Sequence, residues 1–209
     1  VRPAALLFDF NGTLSDDEHI QCEIYREIFA EAGRPLGRAE YFAHLAGLSD
    51  PEIVRAWLGE ERPELVAERV SRYQARAADG STVGPVARQA VRYAATRAQL
   101  AVVSGAARVE IESVLAAAGL DQFVSLVVAA EDVAVGKPDP AGYTRALELL
   151  GRRPDEALAF EDSEAGVAAA KAAALYCIAL EGTVEIERLG AADEIVGVLD
   201  VELMRRLLG

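Results

Sequence analysis

A chain of 209 residues with 52% hydrophobic and 26% charged residues has the balance of a soluble globular protein, long enough to bury one good core and a smaller second unit. Its 34 acidic residues against 21 basic ones leave a net charge of −13, which argues against broad binding to nucleic acid or an anionic membrane and leaves room only for a local basic pocket. Cys22 and Cys177 make neither a metal-type cluster nor a disulfide framework; with no signal-peptide pattern ahead of the first strand, a reducing, cytoplasmic location is expected.

The chain opens on a continuous apolar run, residues 4–8, that ends abruptly in Asp9. Unbroken apolarity predicts a short strand buried on both faces, which a parallel sheet covered by helices requires. Phe10 and Asn11-Gly12 then break the run. Ser15-Asp16-Asp17-Glu18 reads as a capping box, with the Ser15 hydroxyl and the Glu18 carboxylate satisfying free amides at a helix start. Ile20, Ile24 and Ile28 share a face of that helix, and Gly33 with Pro35 stops it. Asp50-Pro51 opens a second helix with Ile53, Val54, Trp57 and Leu58 on its apolar side. A third runs from about residue 63 to 78. No convincing strand lies between residues 15 and 83, so an all-helical insert interrupts the fold straight after its first strand. Its two crossings, near residues 13–15 and 81–84, are expected to act as a hinge.

Beyond the insert, apolar runs at residues 100–103, 126–129, 157–160 and 176–180 read as further buried strands. Helical patterns at 109–118, 141–150 and 164–174 separate them. The apolar stretch from Gly166 to Leu180 is interrupted by Lys171 and reads as helix then strand rather than as a membrane span. This alternation predicts an α/β fold, a doubly wound parallel sheet, with its core in residues 1–14 and 84–209 and the helical insert in 15–83.

In such sheets ligands bind beyond the carboxyl ends of the strands. Asp9 follows the first strand, Ser104-Gly105 the second, Gly136-Lys137-Pro138-Asp139-Pro140 the third and Glu161-Asp162-Ser163 the fourth. The only lysines are Lys137 and Lys171, so a lysine kept in a loop stands out in an Arg-rich chain. Asp9 and Asp162, with Glu161 as a further ligand or as the partner of Lys137, make an all-oxygen set suited to Mg²⁺. A bound cation and Lys137 would offset the mutual repulsion of the carboxylates and keep Asp9 ionised as a nucleophile. Ser104 and the amides of Gly12 and Gly105 could cradle phosphate oxygens. Asp139 before Pro140 reads as a helix cap, and Lys171 as a solvated side chain.

These residues, as Asp9-Phe-Asn-Gly-Thr-Leu14, Val-Val-Ser104-Gly, Gly-Lys137-Pro-Asp-Pro and Glu161-Asp162-Ser, resemble the motifs of the haloacid dehalogenase superfamily. The helical insert places the likeness in the subgroup with a cap after the first strand, most similar to the small-molecule phosphatases and β-phosphoglucomutases. The resemblance implies that Asp9 accepts the phosphoryl group as an aspartyl phosphate and that Ser104 and Lys137 hold the phosphate. It places Mg²⁺ on Asp9, the backbone carbonyl of Asn11, and Asp162.

Two departures qualify the likeness. The phosphatases and mutases of this family carry an aspartate as general acid–base where Asn11 stands. Asn11 keeps the carbonyl but cannot exchange a proton, a role commonly worth about 10²–10⁴-fold. The replacement would come from Asp16, Asp17 or His19, or the enzyme would be slow and restricted to good leaving groups. In the insert, Gln21 stands where relatives often place a histidine, and Gly47-Leu48-Ser49-Asp50 lacks the arginine of the mutases. Mg²⁺-dependent hydrolysis of a small phosphorylated metabolite is therefore expected. The competing readings are a phospho-ligand-binding protein with vestigial catalysis and, below that, a phosphosugar mutase.

Overall fold

The computed structural model describes residues 2–209; Val1, the first residue of the expected core, lies outside the described residues. Six strands form one sheet: β1 (Ala5–Phe8), β2 (Gln99–Val103), β3 (Leu126–Val128), β4 (Ala157–Glu161), β5 (Tyr176–Leu180) and β6 (Glu194–Val196). Their spatial order is β3-β2-β1-β4-β5-β6, and every pair is parallel. The first strand therefore lies at the centre, where the order reverses, with Phe8 opposite Val102 on one side and Phe160 on the other. This register brings Asp9, Ser104 and Asp162 to the same edge.

Among the described residues the helices are α1 (Glu18–Glu31), α2 (Arg38–His44), α3 (Asp50–Leu58), α4 (Pro63–Ala77), α5 (Pro85–Ala95), α6 (Arg108–Ala117), α7 (Ala141–Leu150), α8 (Glu164–Ala172) and α9 (Val201–Leu208), of which those after α4 cover the two faces of the sheet. Side chains alternate across each strand. Leu6, Phe8, Leu100, Val102 and Phe160 join a core shared with α5, α6 and α9 and continuous with the helices of the insert. Ala5, Leu7, Ala101, Ala159 and Cys177 face α7 and α8 instead. The run of alanines on that face lets the two helices lie close over the sheet. Both cysteines are buried and free. Phe8 and Phe160 stack across the central pair with ring centroids 4.7 Å apart, an arrangement worth about 0.5–1.5 kcal/mol beyond its buried area.

The helices α1–α4 all fall between β1 and β2, as the sequence predicts; the seven-residue α2 was not foreseen, nor were α5, α9 and the edge strand β6. The capping box at Ser15 does not form. The helix begins at Glu18 behind Asp17, and no side chain caps it. Instead the Ser15 hydroxyl lies 2.7 Å from both Asp17 Oδ2 and Thr82 Oγ1, and the Asp16 amide donates to the Thr82 carbonyl at 2.9 Å. Ser15 thus fastens the two crossings to each other. Lys171 is not simply solvated: its ammonium pairs with Asp193 at 2.6 Å, joining α8 to the turn before β6. Asp139 is not the cap residue of α7, which is Pro140, although its carboxylate accepts from the Ala141 amide at 2.9 Å. No helix among the described residues is long and apolar enough to cross a membrane.

Candidate active site

At the carboxyl edge of the sheet, Lys137 Nζ lies 2.5 Å from Asp9 Oδ1 and 2.5 Å from Glu161 Oε1. Glu161, fully buried, also accepts from the Tyr143 hydroxyl at 2.5 Å, and its Oε2 has no partner among the described residues. Gly166 in the first turn of α8 makes room for that carboxylate, because a Cβ there would stand 1.7 Å from Oε2. Asp162 is buried on the other side, with Thr13 Oγ1 3.4 Å from its Oδ1.

Asp9, Glu161 and Asp162 each offer an oxygen within 4.8 Å of the others. Three buried carboxylates thus face one lysine. Burial first, then the neighbouring Asp9 and Glu161 charges, push Asp162 well above the usual carboxylate range. Burial penalises the charge on Lys137, yet Asp9 and Glu161 together hold its pKa above that of a free lysine. An all-oxygen set with unbalanced negative charge fits a hard divalent cation such as Mg²⁺.

The turn after Asp9 is built on Gly12, whose φ is +77°. A Cβ at this position would meet Asp162 Oδ2 at 1.8 Å, so both the backbone and the space demand glycine. Its amide donates to the Ser15 carbonyl at 2.7 Å and is spent within the turn, contrary to the phosphate cradle expected at Gly12. Ser104 and Gly105 border the cavity as expected. The Ala106 amide donates to Ser104 Oγ at 3.2 Å, which leaves the hydroxyl proton free to give.

The Asn11 amide donates to Asp17 Oδ2 at 2.9 Å. That same oxygen accepts from Ser15 and Tyr73, while Asp17 Oδ1 is buried without a partner. Burial raises the Asp17 pKa to about 6. Of the three groups expected to replace an acid at position 11, Asp16 and His19 are exposed and border a different surface cavity, and Asp17 sits behind Asn11. Glu18, assigned to a capping box, borders the cavity beside Asp9 and Asn11. Its carboxylate accepts from the Tyr41 hydroxyl at 2.7 Å, and burial raises its pKa to about 7.

The insert closes the other side. Gly47 approaches Ser163 so nearly that a Cβ would lie 2.6 Å from the serine Cβ. Arg69 of α4 crosses to the core, where its Nη1 lies 2.5 Å from both oxygens of Glu110 on α6. Its Nε is 3.2 Å from Asp50 Oδ1, within ion-pair range but misaligned for a hydrogen bond. The cavity between insert and core measures about 70 Å³.

Residues 3–174 match the family model described as haloacid dehalogenase-like hydrolase. The chain belongs to this family. Validoxylamine A 7'-phosphate phosphatase of Streptomyces hygroscopicus subsp. limoneus is 30% identical over 209 aligned residues, covering 90% of each chain. The β-phosphoglucomutase of Mycobacterium tuberculosis is 30% identical over 202, covering 80% of this chain and 77% of that one. Among solved structures, CbbY of Rhodobacter sphaeroides in complex with xylulose-(1,5)bisphosphate superposes with a TM-score of 0.85 at 28% identity, covering 96% of both chains.

For this hydrolase the motif residues Asp9, Asn11, Ser104, Gly105, Lys137 and Asp162 all border one cavity, and Glu161 stands behind Lys137. Sequence reasoning missed the groups that complete it from the insert: Glu18, Gln21, Tyr41 and Arg69. Their partners lie too far away in the chain for spacing to reveal them. The exception is Gln21, an unusual polar residue on the inward face of α1, which was noted only for not being histidine.

Proposed function

We propose that this hydrolase removes the phosphoryl group from a small phosphomonoester by way of an aspartyl phosphate on Asp9. The observation that carries the reading is the buried set of Asp9, Lys137, Glu161 and Asp162 at the switch point of the sheet. Lys137 holds one Asp9 oxygen and orients the carboxylate for attack on phosphorus. Ser104 and the Gly105 amide steady the phosphoryl oxygens from the opposite loop, as phosphoryl transfer requires. Glu161 orients Lys137, since its Oε1 is already taken by Lys137 and Tyr143. Asp9, the Asn11 carbonyl and Asp162 would hold Mg²⁺, which when bound offsets charge on the transferring group.

Cleavage of an alkyl ester releases an alkoxide that needs a proton, and Asn11 has none to give. Glu18 takes that role in this reading. Its carboxyl donates as the P–O bond breaks, then as carboxylate takes a proton from the water that attacks phospho-Asp9 and releases inorganic phosphate. Residues 15–83 act as a cap on a core of 1–14 and 84–209, hinged where Ser15 meets Thr82. The second reading, a phospho-ligand binder, draws on the Asn11 amide being tied to Asp17 rather than free. The mutase reading is weaker, since Arg69 in the cap is already matched by two carboxylates.

Mg²⁺-dependent phosphate release from 4-nitrophenyl phosphate and from an alkyl phosphate decides among these readings. The wild type is expected to turn over both, Asp9→Ala neither. Glu18→Gln is expected to lose about 10²-fold on the alkyl ester and far less on the aryl ester, whose leaving group needs no proton. A wild type silent on both esters that still binds phosphate would favour the binder.

A further inference from the structure

Gln21 projects from α1 into the cavity, is only 3% exposed, and among the described residues neither its Nε2 nor its Oε1 is hydrogen-bonded. A buried amide without partners is costly to keep in a folded protein, so its persistence facing a cavity points to a ligand that completes it. One face of a primary amide both donates and accepts, which matches a hydroxyl or a neighbouring pair of hydroxyls. The groups around it have the same character. Tyr25 and Tyr41 spend their protons on Asp50 and Glu18, so their oxygens, like the carboxylates, are left to accept.

The charges on this wall point the same way. Two cations border the cavity, and neither is free: Lys137 is held by Asp9 and Glu161, Arg69 by Glu110 and Asp50. A second phosphate on the ligand would face Asp50 with no unmatched positive charge to receive it.

We infer that the cap side of the cavity selects a leaving group rich in hydroxyls and carrying no second anion, with Gln21 as the specificity-determining side chain. This rests on the phosphomonoesterase reading above, and it names the class of substrate that reading leaves open: a polyol monophosphate.

The test compares kcat/KM for fructose 1-phosphate, fructose 1,6-bisphosphate and 4-nitrophenyl phosphate in wild type and in Gln21→Met, with thermal-shift titrations of the two sugar phosphates and unliganded Tm alongside. The wild type is expected to favour the monophosphate over the bisphosphate by about tenfold or more. Gln21→Met is expected to lower the ratio of sugar phosphate to aryl phosphate turnover by about tenfold. Because the amide has no partner among the described residues, the apolar near-isostere is expected to raise the unliganded Tm. A Gln21→Met protein with lowered Tm and unchanged ratio would mean a structural side chain and overturn the inference, as would equal or better use of the bisphosphate. Failure of the phosphatase reading is seen separately, as no turnover of 4-nitrophenyl phosphate. In that event the titrations decide: tighter wild-type binding of the monophosphate, weakened in Gln21→Met, sustains the inference, and the reverse overturns it.

Discussion

Asn11 and Asp17 are matched through a single hydrogen bond in which the asparagine amide donates to a buried carboxylate at 2.9 Å. An aspartate at position 11 would set two carboxylates at that separation, with Tyr73 and Ser15 already serving Asp17. Like charges so close cannot both ionise cheaply, and one would keep its proton. Asn11→Asp alone is therefore expected to lower Tm at pH 8 more than at pH 5.5. Asn11→Asp combined with Asp17→Ser is expected to recover most of that loss and to exceed the single variant on alkyl phosphates. Differential scanning calorimetry at the two pH values, with phosphate release on the same samples, checks both statements. A single variant as stable at pH 8 as the wild type would show that the pair is not coupled.

Among the elements, the strands were legible because parallel strands buried on both faces read as unbroken apolar runs. The motif residues at their ends were legible because each run stops at a polar group. β6 was not, being a half-buried edge strand of three residues, Glu194–Val196, with one charge among them. α2 has seven residues, too few for a clear helical period. The Ser15–Glu18 spacing met the local rule for a capping box, but tertiary partners won: Thr82 took the serine and Tyr41 took the glutamate. The cap wall was illegible for the same reason, since Arg69 and Glu110 are 41 residues apart. Gly166 carries the most local of the remaining predictions. Its Cβ would lie 1.7 Å from Glu161 Oε2, so Gly166→Ala must push the carboxylate off Lys137. We expect a destabilisation of roughly 1–3 kcal/mol from overpacking, and phosphate release reduced by at least about tenfold as Lys137 loses its orientation. Chemical denaturation and steady-state assays read the two effects. Unchanged activity would mean that Glu161 does not hold Lys137 in place.

Across the whole molecule, five carboxyls in and around the site shift in one direction. Burial raises Asp17 to about 6 and Glu18 and Glu110 to about 7, and it lifts Glu161 and Asp162 as well. Between about pH 4 and pH 7 the folded state therefore binds more protons than the unfolded chain, and stability falls as pH rises through that window. The lowered carboxyls Glu31, Glu64, Asp79, Asp155 and Asp193 act oppositely but below the ordinary carboxylate range. Stability is thus expected to decline from pH 5 toward pH 8 in the absence of divalent cations. A cation competes with protons for Asp162, so Mg²⁺ is expected to raise Tm more at pH 8 than at pH 5.5. A Tm that climbs from pH 5 to pH 8 without metal, or an Mg²⁺ effect larger at the acid end, would contradict this balance. The cavity of about 70 Å³ is also far below the roughly 300–1,000 Å³ of typical ligand pockets. The Arg69–Glu110 pair and the close approach of Gly47 to Ser163 both hold the insert against the core beside this cavity.

The central claim is that Asp9 accepts the phosphoryl group, and acid-quenched mass spectrometry addresses it most directly. Wild-type protein mixed with Mg²⁺ and 4-nitrophenyl phosphate, stopped within the first turnovers and digested with pepsin, is expected to carry one phosphoryl group on the peptide containing Asp9. The adduct is expected to vanish in Asp9→Ala and when Mg²⁺ is withheld. Phosphate release that proceeds in Asp9→Ala, or a phosphoryl group found on another residue, would contradict the account.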